Sequence, residues 1–218
     1  MRKLLAISAL LALATPAAAQ DAAADAKAAD LEFPAGWQIR LDRPNANAND
    51  VRFFVAGDGL HATTGPAAIF WHPDNVAEGE FDARATFIQM KPSRHPEAYG
   101  IFVGGRDLDG DAQDYFYFLI RQDGKFLVKH RAGAETHTII DWTAHEAVRP
   151  AGDDGRATNT LEMRVRAGDV RFLVNGVEVA KLDRVPYLNT DGIVGLRVNH
   201  NLDVRIDEFS FGPPRGDD

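Results

Sequence analysis

The sequence contains no cysteine. That excludes a disulfide framework and any thiolate metal site, and leaves stability to an ordinary core. Serine is scarce, at Ser8, Ser93 and Ser210 alone. There is no Gly-x-Ser-x-Gly elbow, no phosphate-binding P-loop and no dinucleotide-binding glycine pattern, so serine hydrolysis and nucleotide chemistry have no support. None of the seven histidines stands in His-x-His or His-Glu-x-x-His spacing, which removes the usual zinc signatures. After the first residues no apolar run approaches the roughly 20 residues that cross a bilayer as a helix. Positive charge is in deficit too. The chain carries 24 Lys and Arg against 32 Asp and Glu, a net charge of −8. Such a protein repels phosphate backbones, so nucleic acid and anionic lipid are poor partners.

What is present begins with an export pattern. Arg2 and Lys3 precede an apolar run, Leu4 to Ala14, and Ala17-Ala18-Ala19 offers small residues for cleavage. Residues 1–19 are expected to be a secretory signal peptide. Its removal takes away two cations and no acid, moving the charge from −8 to −10. Residues 20–30 (QDAAADAKAAD) have no large apolar side chain and read as a flexible lead. Residues 213–218 read as a C-terminal tail. Its Arg215-Gly216-Asp217 is a tripeptide common by chance. Export and the lack of cysteine together point to a periplasmic or extracellular location of Gram-negative style.

Between residues 31 and 212 a two-residue period dominates, which predicts strands. Leu161, Met163 and Val165 alternate with Glu162, Arg164 and Arg166, and Val170, Phe172 and Val174 continue the apolar face. Asn175-Gly176 predicts a type I′ hairpin with positive φ at both positions. Asp123-Gly124 predicts a second hairpin between Tyr115–Arg121 and Lys125–Arg131. A two-residue loop there would pair Phe118 with Lys129 and Phe116 with Arg131 on one face, and a three-residue loop would shift that register. Further strands are expected at Val51–Val55, Leu60–Thr63, Ala67–Trp71, Phe81–Met90, Ile193–Val198 and Val204–Phe211. The total is ten to thirteen, with one helical turn at most, at Thr143–Val148. The spacing predicts an all-β, two-sheet antiparallel sandwich.

Three stretches carry a family resemblance. They are Gly57-Asp58-Gly59-Leu60 with Thr64-Gly65, the turn around Phe172–Gly176, and Gly192-Ile193-Val194-Gly195-Leu196 followed by Ile206-Asp207-Glu208-Phe209. Together they resemble the concanavalin A-like jelly rolls, especially the laminin-G-like modules and the bacterial 3-keto-disaccharide hydrolase-type domains. The resemblance covers residues 31–212. It implies a jelly roll and no particular activity, because the matching residues are turns and core positions.

The chemistry is sparse. A retaining glycosidase needs two carboxylates about 5 Å apart, and the laminarinase-type branch supplies them as Glu-x-Asp-x-Glu. Here Glu80-Phe81-Asp82-Ala83-Arg84 ends in arginine, and Asp203-Val204-Arg205-Ile206-Asp207 has arginine between its acids. Asp107, Asp109, Asp111 and Asp114 crowd one segment, and calcium favours such oxygens. An EF-hand is excluded, since Ala112 and Phe118 stand where glycine and glutamate belong. A looser calcium site at these four aspartates is the expectation set against a plain solvated turn.

Sugars stack their C–H faces on aromatic rings. Trp71, Tyr115, Tyr117 and Trp142 are the candidate rings, with Arg106, Asn199 and His200 as polar partners, against the alternative that the rings are core. Lys129 and Arg131 would suit an acidic sugar. The sequence is read as an exported module that binds a carbohydrate or cell-envelope glycan, with a 3-keto-disaccharide-type hydrolase as the alternative. Two carboxylates facing a cleft would favour the enzyme. An aromatic strip without them would favour binding, and a face closed by side chains an inert component.

Overall fold

The alternating apolar residues become fourteen strands among the described residues. The computed structural model describes residues 31–185 and 188–216. The expected signal peptide and lead lie outside the described residues. The chain divides into two units, Met1–Glu32 and Phe33–Asp218. Of the first, Leu31 and Glu32 are described and both are exposed. All fourteen strands belong to the second.

In chain order the strands are β1 (Gln38–Leu41), β2 (Val51–Ala56), β3 (Gly59–Thr64), β4 (Ala68–Ala77), β5 (Phe81–Gln89), β6 (Ala98–Arg106), β7 (Asp114–Arg121), β8 (Lys125–Ala132), β9 (Glu135–Ala144), β10 (Ala157–Val165), β11 (Asp169–Val174), β12 (Val177–Asp183), β13 (Gly192–Val198) and β14 (Leu202–Gly212). One seven-stranded sheet runs β1-β4-β13-β6-β7-β8-β9, and the other runs β12-β11-β10-β5-β14-β3-β2. Neighbours pair antiparallel throughout. The result is the two-sheet antiparallel sandwich that the two-residue period predicts, and the jelly roll that the resemblance implies.

The core lies where the inward side chains of the two sheets meet. Phe70, Ile101, Phe116, Phe118 and Leu196 come from one sheet, and Phe87, Leu161, Met163, Phe172 and Val204 from the other. The ring of Phe172 sits 5.2 Å from Phe118 and 5.8 Å from Phe116, locking the sheets face to face. Each such side chain contributes about 1.5–3 kcal/mol by leaving water. Trp37 closes one end of the core, 5.1 Å from the ring of Phe53 and 6.0 Å from that of Phe209.

The hairpins divide. Asn175 and Gly176 have φ of 53° and 82°, the type I′ geometry expected. The β7–β8 hairpin does not take the two-residue register. Arg121 pairs with Lys125, leaving a three-residue loop Gln122-Asp123-Gly124. Gly124 takes φ 78° and donates its N–H to the Arg121 carbonyl, as in a type I turn closed by a left-handed residue. The shift moves Phe116, Phe118 and Ile120 into the core against His130, Val128 and Phe126. It sets Tyr115 opposite Arg131, Tyr117 opposite Lys129 and Leu119 opposite Leu127 on the other face. Three strands escape the sequence reading, β1, β6 and β9. The only helical segment among the described residues is a 3₁₀ turn, Ala48–Asp50, whose N-cap Asn47 accepts from the Asn49 N–H. At Thr143–Val148 there is a single turn, closed by Val148 N–H to the His145 carbonyl.

Candidate functional site

The face that Tyr115 and Tyr117 share is the outer face of the β1-to-β9 sheet. Alternation places Arg121, Leu119, Tyr117 and Tyr115 of β7 there, with Lys125, Leu127, Lys129 and Arg131 of β8 across from them. Arg197 of β13 and Arg40 of β1 join them, each opposite Ile69 of β4. Asp42 extends β1 by one pair through its N–H to the Ala67 carbonyl. Trp71, Phe102, Leu108, Tyr115, Tyr117 and Leu127 form a second apolar cluster on this side.

This face is the inside of a curl. β1 and β8 are five strand steps apart, about 24 Å in a flat sheet. Yet Arg131 of β8 brings Nη2 to 3.8 Å from the Asp42 carboxylate. Side chains on a flat sheet could not close that gap, so the sheet bends around them. The 107–112 loop folds toward the same face. Leu108 packs into the cluster, and Arg40 Nη1 donates to the carbonyls of Leu108 and Gly110 at 3.1 and 2.6 Å.

At the centre is an ion pair. Arg197 donates Nη1 to Asp42 Oδ1 at 2.9 Å and Nη2 to Oδ2 at 2.5 Å. Nη1 also donates to the Tyr115 hydroxyl at 3.0 Å, and the guanidinium lies 5.1 Å from the Tyr117 ring centroid. Burial alone would raise the Asp42 carboxyl. The charge and hydrogen bonds of Arg197, helped by Arg131 and His200, outweigh it and hold Asp42 below the ordinary carboxylate value. Burial raises the Tyr117 phenol, with Arg197 opposing. A cleft of about 500 Å³ opens beside the pair, lined by Asp42, Arg43, Asn45, Arg197, Asn199 and His200 together with the Gly65–Ala67 turn. His200 is held by Glu97, Nδ1 to Oε2 at 2.6 Å. The Asn199 side-chain oxygen and the Nε of both Arg131 and Arg197 are buried without a hydrogen-bond partner.

The expected site residues thus separate into groups. Tyr115, Tyr117, Asn199 and His200 gather around Arg197. Trp71 lies in the same cluster, but its ring and those of Tyr115 and Tyr117 are buried, so they form walls and not open stacking surfaces. Trp142 is half-buried on β9, with the Arg121 guanidinium 4.3 Å over its ring. Arg106 is turned to Asp114, Nη2 to Oδ1 at 2.9 Å, away from this group. Asp107 Oδ2 accepts the Ala112 N–H, the two Asp114 oxygens are held by Arg106 and His130, and Asp109 and Asp111 are exposed. Among the described residues no three acidic or histidine side chains converge as a metal requires.

The acids weighed for catalysis lie elsewhere. Asp82 is buried against Arg166 at 2.7 Å. Asp203 is held by His61 at 2.7 Å and Lys91 at 3.2 Å, and Asp207 by Arg205 at 2.8 Å. All are on the other sheet. Sequence reasoning misses Asp42 and Arg197 as site residues. Val194, Leu196 and Val198 place Arg197 off the core, which reads as solvent, and its partner lies 155 positions away.

No family model matches the sequence, and no curated protein matches it. Solved structures do. The carbohydrate-binding module CBM66 from Bacillus subtilis is 9% identical, over 83% of this chain and 99% of that chain, with a TM-score of 0.61. A GH16 protein of a Bacteroides ovatus mixed linkage glucan locus, in complex with G4G4G3G product, is 9% identical over 83% and 96%, with a TM-score of 0.55. The carbohydrate recognition domain of Emp47p is 10% identical over 86% and 93%, also at 0.55. What the chain shares with all three is the two-sheet jelly-roll fold.

Proposed function

We propose that the inner face of the curled sheet binds a carbohydrate, and that the chain is an exported glycan-binding module of the periplasm or cell exterior. The observation that carries this is the cleft beside Asp42 and Arg197. Polar groups from segments far apart in sequence converge there, next to buried tyrosines, while the Arg197 Nε and the Asn199 side-chain oxygen lack partners within the protein. A sugar hydroxyl both donates and accepts, and so suits such a mixed set. The carbohydrate-recognising neighbours of the same fold support the reading. The export half of it rests on residues 1–19.

The hydrolase alternative is weaker on this geometry. Among the described residues lining the cleft, Asp42 is the one carboxylate, and Arg197 holds both its oxygens. An acid–base pair of the glycosidase kind is not assembled there.

A thermal-shift screen of the protein against oligosaccharides of several classes tests the reading, since a ligand of the folded state must raise the melting temperature. A rise with one class, lost in the His200→Ala and Asn199→Ala variants, is the expected result. No rise with any glycan sinks the proposal. Parallel arms with calcium and with chelator test the Asp107–Asp114 segment.

A further inference from the structure

The chain is acidic, yet this face is not. Its strands present Arg40, Arg121, Lys125, Lys129, Arg131 and Arg197, with the carboxylates of Asp42 and Asp123 beside them. Four of the six cations are engaged. Arg40 is taken by two backbone carbonyls. Arg121 and Lys125 share Asp123 at the hairpin tip. Arg197 holds Asp42. The other two have no carboxylate of their own. Lys129 has no acidic partner among the described residues. Arg131 donates Nη1 to the Ala134 carbonyl at 3.2 Å and reaches, at 3.8 Å, a carboxylate that Arg197 already holds, while its Nε has no acceptor.

These two cations are neighbours on one face of β8, two residues apart, and each stands across from a tyrosine. A guanidinium and an ammonium side by side, with phenols opposite and donor capacity unmet, match the needs of a carboxylate on a polar ring. A neutral sugar would leave the Lys129 charge uncompensated and Arg131 with only a shared, distant carboxylate beside a partly desolvated surface, which is costly. The overall negative charge sharpens the point. Elsewhere the chain repels acidic polymers, so the cationic excess here is local and directional.

We infer that this face takes an acidic glycan, one bearing uronic-acid carboxylates seated against Lys129 and Arg131. The inference rests on the glycan-binding reading above and narrows its substrate class.

The test is titration calorimetry of the protein with uronate oligosaccharides (galacturonate, mannuronate and guluronate) and with neutral gluco-oligosaccharides of equal length, at low and high salt. The expected result is binding of a uronate oligomer that weakens as salt rises, with Lys129→Ala about tenfold weaker, as the loss of one charge-assisted contact predicts. Neutral oligomers binding as well as acidic ones, or unchanged uronate affinity in Lys129→Ala, overturns the acidic assignment and leaves glycan binding standing. Binding of neither class overturns both. Lys129 is only half-buried, so its truncation leaves the core intact. If that variant nevertheless fails to fold, salt dependence in the unaltered protein decides, and salt-independent affinity rejects the inference.

Discussion

Arg197 and Asp42 meet as a two-point pair across 155 positions of sequence, and their burial is unequal: the arginine side chain is 7% exposed and the aspartate 27%. Removing the aspartate strands a charge in the protein. Removing the arginine strands one that water and Arg131 can still reach. Asp42→Asn is therefore expected to cost more stability than Arg197→Met, on the order of 3 kcal/mol against about half that. Urea unfolding of both variants checks the order. Equal losses, or the reverse order, would show that the arginine is not the desolvated partner.

The same pair sets an acid limit. Asp42 and Asp203 both lie below the reference value of 3.8 in the folded protein. In each case burial pushes the pKa up and cationic partners outweigh it, Arg197 for the first and His61 with Lys91 for the second. A depressed folded pKa contributes stability that is complete above the unfolded value and fades as pH falls through the folded one. The melting temperature is therefore expected to drop as pH falls below about 4, and Asp203→Asn to make that drop shallower. Scans at stepped pH on the two proteins measure it. Superimposable pH profiles would remove Asp203 from the account.

Much of this molecule is legible in the order of its residues, and the failures have physical causes. Alternation finds β10 because one face is buried and the other is wetter. It misses β9, an edge strand whose side chains are mostly exposed, so neither face demands apolar residues. The hairpin at Asp123-Gly124 is visible, but its loop length is not. Asp-Gly serves a two-residue type I′ turn and, as here, the end of a three-residue loop. That single residue decides whether Phe116 or Tyr115 faces the core. The site is less legible still. Asn199 and His200 can be read as polar residues beside a strand end, but their neighbour Asp42 is brought in by the pairing of β1 and β13 on either side of β4, which no local pattern encodes.

Glycine makes room in that sheet. Gly195 of β13 pairs with Phe102 of β6 and Trp71 of β4. A Cβ at 195 would lie 2.4 Å from Phe102 Cζ and 2.6 Å from the Phe70 carbonyl. The ring could turn aside, but the backbone oxygen could not. Gly195→Ala is expected to lose about 1–3 kcal/mol. Glycan affinity should fall with it, because the Phe102 ring packs 5.2 Å from that of Tyr115. Denaturant unfolding and the binding titration read the two effects separately. An alanine variant as stable as the parent would show that the sheet yields at this point.

The Asn175-Gly176 turn separates backbone from side-chain contributions. Gly176 sits at φ 82°, and a Cβ there would meet nothing within 4 Å, so Gly176→Ala tests left-handed strain alone, about 1–2 kcal/mol. Asn175 does more than turn the chain. Its amide donates to the Ala147 carbonyl at 2.7 Å and to Asn159 Oδ1 at 2.9 Å, and its oxygen accepts the Thr160 N–H at 2.9 Å. Asn175→Gly keeps the φ of 53° easily accessible but deletes all three bonds. It leaves the Thr160 N–H and the Ala147 carbonyl to find water in a half-buried place. At roughly 1 kcal/mol for each bond, its cost should exceed that of Gly176→Ala. Thermal unfolding of the two single variants settles which contribution holds the hairpin. A smaller loss in Asn175→Gly would mean the turn geometry matters more than the side chain that ties it to the 147–160 segment.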